Sequence, residues 1–198
     1  MNENIKNTDI EVDSSKIKNK DIYIKPNKWQ TITLILIFII FGGLNFLLSN
    51  SIVLAIQGSL FATLLTYVSF VDLKMKLVSD YSVLALFAIG LITIIPNLLT
   101  EHYSYCLYNL LAAIIVPIPL FIGALVSSGG IGGGDVKLIS AIAFTLGINK
   151  GVYALIVGLL LAVIIQLAIV NIKKLDKKTT SFALVPYLAI GSIIFYVI

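Results

Sequence analysis

The chain contains no arginine: all 14 of its basic residues are lysines. Enzymes that grip phosphate or lipid diphosphate groups exploit the planar guanidinium fork, so its absence lowers that class. A single cysteine, Cys106, rules out an internal disulfide and a CxxC zinc site. Charge of either sign is scarce. Only 12% of residues are Asp, Glu, Lys or Arg, against about 25% in a soluble domain. What fills the chain instead is hydrocarbon: 59% of residues are hydrophobic, and the mean hydropathy is +1.02. Several runs exceed the roughly 18 apolar residues that a spanning helix needs. The reading is an all-α, polytopic transmembrane helical bundle in the lipid bilayer. Nucleic-acid binding is not expected, because the lysines are juxtamembrane and the polar tail mixes both signs.

Residues 1–28 are polar and rich in Lys, Asp and Asn, and they read as a poorly ordered cytoplasmic tail. The apolar chain that follows lacks the short basic leader of a cleavable signal peptide, so its first span reads as a retained anchor. Trp29 suits an interfacial position. Seven spans are expected, at 30–48, 51–71, 81–99, 107–126, 136–147, 151–170 and 182–198. Placing the tail inside puts 13 lysines on the cytoplasmic side and leaves Lys150 alone outside, a split that the positive-inside rule favours. The domain division is then a tail at 1–28 and a membrane domain at 29–198.

Two carboxylates stand out. Five of the ten acidic residues lie beyond Asp21, and Asp72 and Asp135 are two of these, both at the cytoplasmic face. A carboxylate in hydrocarbon costs about 2.5–3.5 kcal/mol on insertion scales, which makes it a functional-site candidate by default. From Asp135 to Lys150 a helix rises about 22 Å, short of a hydrocarbon core about 30 Å thick. With Lys150 at the outer surface, Asp135 is expected below the inner one, and the loop before it then dips into the membrane. Irregular backbone is tolerated there only when it is buried in protein or lines a wet cavity. Two carboxylates facing one pocket cannot both ionise easily, so they share a proton. The ionised partner can then take a proton from water while the protonated one polarises a carbonyl. The plainer alternative is two unrelated helix-end acids solvated at the interface.

The segment before Asp135, GGIGGGD, holds five glycines in six positions. Glycine permits close backbone approach, so an extended peptide could lie against Gly132, Gly133 and Gly134. A flexible re-entrant turn is the alternative. No GK[ST] follows, which excludes a phosphate-cradling loop.

SFVDLKMKLVSD, GGGDVKL and VPYLAIGS resemble the three marked segments of prepilin peptidases. These are the GxGD-type intramembrane aspartic proteases of type IV pilus, competence and type II secretion systems. The resemblance covers roughly residues 51–198, a six-helix peptidase core preceded by one extra N-terminal helix. It implies Asp72 and Asp135 as the catalytic pair, a lysine at position 137, and Pro186 close to the active site. It implies cleavage, after a glycine, of the short basic leader of prepilin-like proteins, with no metal or cofactor. Two departures stand out. The family's Ile-Pro-Asn or Ile-Pro-Asp after the first acid is replaced here by Val78, Ser79 and Asp80. The paired CxxC motifs of a methyltransferase domain are absent, so the chain resembles the short, peptidase-only form, expected to leave the new amino terminus unmethylated.

The remaining polar residues have plainer readings. Lys137 either tunes the nearby charge or snorkels to the headgroups. Asp80, beside Ser79, reads as part of a helix N-cap. Asp176 is solvated among lysines, His102 is a lone histidine outside, and Cys106 packs. Pro117 and Pro119 should kink the fourth span, and Pro186 suits a helix start. The competing function is a small secondary transporter whose buried acids relay protons or bind a cation. The chain shows no internal repeat, and its acids sit toward one face, which disfavours that reading. A non-catalytic assembly protein that keeps the fold ranks lower, since both aspartates are present.

Overall fold

Backbone polar groups in hydrocarbon must find partners within their own segment, so the apolar runs should be helices. The computed structural model describes residues 26–126, 132–173 and 183–198, and every regular element among them is helical. In chain order these are α1 Lys28–Ser49, α2 Ile52–Met75, α3 Asp80–Leu99, α4 Tyr103–Ile115, α5 Ile118–Val126, α6 Gly133–Lys173 and α7 Val185–Val197. Most of the polar tail, the loop 127–131 and the segment with Asp176 lie outside the described residues.

Local chemistry sets the ends. Asn27 and Gln30 form a capping box at the start of α1, with the Asn27 N–H donating to Gln30 Oε1 at 2.9 Å. The left-handed residues Asn50 and Lys76 end α1 and α2. Five segments are long and apolar enough to cross a membrane: α1, α2, α3, Tyr103–Val126 and Gly133–Ile169. The apolar α7 has only 13 residues.

Several expected boundaries move. The second helix does not end at Asp72 but continues to Met75, because Leu73, Lys74 and Met75 are good helix formers. The fourth apolar segment starts at Tyr103 and is interrupted between Ile115 and Ile118, where Pro117 has no N–H to give. The spans expected at 136–147 and 151–170 join in one helical run, broken at Gly147, whose φ of 79° and ψ of 177° are not helical. A Cβ on Gly151 would stand 3.2 Å from the Cβ of Ala143, whereas eight residues of straight helix rise about 12 Å. The chain therefore bends back on itself at Gly147.

Helix α2 is central, with α1, α3 and α7 packed on it, while α6 packs on α3, α4 and α7. Phe61, Leu65, Leu86, Leu138, Ile142 and Leu188 are fully buried between them. A polar network crosses this core. Gln57 donates to the Ile89 carbonyl at 3.1 Å and to Thr93 Oγ1 at 3.0 Å, and Tyr196 donates to Gln57 Oε1 at 2.9 Å. Three helices are thereby tied by groups that would be costly to bury unpaired.

Helices α6 and α7 approach almost backbone to backbone. A Cβ on Gly191 would lie 2.6 Å from the Ala154 carbonyl oxygen and 3.0 Å from the Gly158 nitrogen. Neither atom can swing away. Gly191→Val should cost at least about 1–3 kcal/mol through overpacking. Gly43→Ala in α1, where nothing lies within 4 Å, should instead raise stability by up to about 1 kcal/mol. Thermal unfolding of the two purified variants in detergent checks both.

Candidate functional site

One end of the bundle gathers the C-terminal turn of α2, the connection 76–79, and the N-termini of α3, α6 and α7. Asp72 lies in the last turn of α2 and is only 4% exposed. A carboxylate near a helix C-terminus meets the negative end of the macrodipole. Here the start of α7 offsets this, since the Val185 N–H donates to Asp72 Oδ2 at 3.0 Å. Lys76 lies near enough for its charge to act on Asp72 as well.

Asp135 sits in the first turn of α6, where the dipole favours an acid. Its N–H donates to the Gly132 carbonyl at 3.1 Å, which tightens the turn. Its side chain is half-buried, and it lies close enough to Asp72 for the two carboxylates to interact electrostatically. Two acids that are 63 positions apart in the sequence thus lie at the same end of the bundle. Among the described residues, no three His, Cys, Asp or Glu side chains gather where they could hold a metal ion.

The three glycines differ in what they permit. A Cβ on Gly132 would come 3.3 Å from Asp135 Oδ2, so glycine leaves that oxygen uncrowded. A Cβ on Gly134 would stand 3.0 Å from the Cβ of Val78, while one on Gly133 would meet nothing within 4 Å. Gly133→Ala, at the first residue of α6, should therefore leave Asp135 and the connection 76–79 in place and change stability by less than about 1 kcal/mol. Gly134→Ala should push Val78 and the connection 76–79 away from α6. Comparing the thermal unfolding and the activity of these two variants separates loop flexibility from close packing as the reason for glycine.

Lys137 does not turn toward the two acids. Its Nζ binds Asp80 Oδ1 at 2.8 Å, with both side chains largely exposed. Helical geometry explains this, because residues two apart point to different faces. Asp80 therefore pairs with another helix, and Ser79, the N-cap of α3, makes no side-chain cap. Pro186 occupies the first turn of α7, next to the amide that reaches Asp72. Distant from this end, His102 contacts Thr100 at 3.0 Å, and Cys106 is half-buried with its thiol 3.6 Å from the Ile94 carbonyl. Sequence reasoning missed Val78 and Val185. Pro186 carried the available signal for the second: a proline in the first turn marks a helix start, where amides are unpaired.

A model of the type IV leader peptidase family matches residues 59–170, which is more than half of the chain and includes both Asp72 and Asp135. No curated protein and no solved structure matched the chain significantly.

Proposed function

The chain belongs to the type IV leader peptidase family, and on that premise we propose that it cleaves the basic leader from prepilin-like proteins with Asp72 and Asp135 as its catalytic pair. The observation that carries this reading is the placement of two buried or half-buried acids at the same end of an apolar bundle, near enough for their charges to act on each other.

In this mechanism a water molecule lies between the carboxylates, which hold one proton between them. The Val185 amide occupies Asp72 Oδ2, which leaves Oδ1 to accept a proton as the water oxygen attacks the scissile carbonyl. Asp135 carries the shared proton and hydrogen-bonds the carbonyl oxygen, on which negative charge develops. Collapse of the tetrahedral intermediate breaks the C–N bond, and a proton passes to the leaving amine. Gly132 and Gly133 offer an uncrowded approach for the substrate backbone. The chemistry uses no metal or cofactor.

The membrane arrangement is part of the proposal. Seven spans, with the N-terminus in the cytoplasm of a cell whose cytoplasmic membrane holds the protein, place both acids at the inner face. The break and reversal at Gly147 support counting α6 as two spans. Residues 1–28 are then a cytoplasmic tail and 29–198 the peptidase domain, with the family-like core at about 51–198. The substrate's leader stays in the cytoplasm and its apolar helix lies in the bilayer, so the bond to be cut reaches the depth of the pair. Purified protein in proteoliposomes should release the leader of a prepilin-like substrate. Intact substrate together with proton-coupled solute uptake would favour the transporter reading.

A further inference from the structure

The helix that carries Asp72 ends at Met75, and only residues 76–79 separate it from α3. This short connection and the first residue of α3 touch α6 on both sides of Asp135. On one side Val78 packs so closely on Gly134 that a Cβ there would stand 3.0 Å from its own. On the other side Asp80, the first residue of α3, binds Lys137 at 2.8 Å. Deeper in α6, Leu138 and Ile139 are fully buried and anchor the helix body. The turn that bears Asp135 lies ahead of that anchor, so its orientation depends on contacts of its own.

We propose that the Asp80–Lys137 pair and the Val78–Gly134 contact form a two-point clasp that positions Asp135 against Asp72. The inference rests on the proposed peptidase reading. Asp80 and Lys137 are positioning residues: they touch neither the reacting atoms nor the acids and act by fixing the first turn of α6. Lys137 is thereby held on the far face of that turn. An exposed ion pair contributes little to stability, so its loss should leave the fold intact. Its effect on turnover should be larger, since displacing a catalytic group by a fraction of an ångström is felt directly in the rate.

A charge-swap series tests this: Asp80→Lys, Lys137→Asp and the double variant, each purified and assayed in proteoliposomes against the same prepilin-like substrate. Each single change should lower kcat about three- to tenfold with KM within about twofold, and the double variant should recover most of the loss. The melting temperatures of the four proteins should show the same non-additivity on a small scale, which reads the pairing without reference to cleavage. A double variant no better than the worse single variant would overturn the clasp, as would a loss confined to KM, which would make Lys137 a substrate contact. If the wild-type protein cleaves nothing, the peptidase reading fails, and additive melting temperatures would then show separately that the two charges are not coupled.

Discussion

Asp72→Asn and Asp135→Asn should each reduce leader release by about 10³-fold or more, with the protein still folded in the membrane. The expected loss is large because the proposed mechanism uses the two acids as one unit. Removing either leaves no pair to share a proton, and water then has either no base or no acid opposite it. For the same reason the double variant should be scarcely worse than either single one. Asparagine has nearly the shape of aspartate, and at position 72 it still offers an oxygen to the Val185 N–H. Folding should survive, which thermal unfolding checks alongside activity. His102→Ala should change the rate by less than about twofold, since His102 lies at the start of α4, away from the pair. Substantial cleavage by either asparagine variant would exclude a carboxylate dyad.

The second large effect concerns orientation. With Cys106 replaced by serine, single cysteines at positions 76, 103 and 175 report which side of the membrane each position faces. A membrane-impermeant thiol reagent added to intact cells should label position 103 and leave 76 and 175 untouched until the cells are opened. The expectation comes from the lysine asymmetry and from the place of Lys76 at the end of α2 beside Asp72. External labelling at position 76 would place the pair on the wrong side for a leader that stays in the cytoplasm.

The parts of this molecule visible in its sequence are those that a short window can hold. Hydropathy revealed the helical segments, because hydrocarbon leaves the backbone little choice. Asp72 and Asp135 were visible because a carboxylate is conspicuous in apolar sequence. Pro117 and Pro119 foretold the interruption between α4 and α5. The gap left between the expected fifth and sixth spans falls next to the break at Gly147.

What stayed hidden depends on pairs far apart in the chain. The Val185 amide reaches Asp72 across 113 positions, and Lys137 reaches Asp80 across 57. No periodicity records such contacts. Asp80 shows how local reasoning goes astray: a Ser-Asp pair before an apolar run reads as a cap, yet the aspartate side chain binds a neighbouring helix. Gly158 and Gly191 likewise look like ordinary membrane-helix glycines until the two backbones are seen in contact.

In the proposed reaction this pair of acids hydrolyses one bond at the membrane face of a prepilin-like protein. Mass spectrometry of the products formed by the purified wild-type chain in proteoliposomes identifies that bond. The wild-type protein should give one released leader and one mature product that begins at the edge of the substrate's apolar segment, and the Asp135→Asn protein should form neither fragment. Intact substrate after prolonged incubation with the wild-type protein, or the same two fragments from the Asp135→Asn protein, would contradict the proposed reaction.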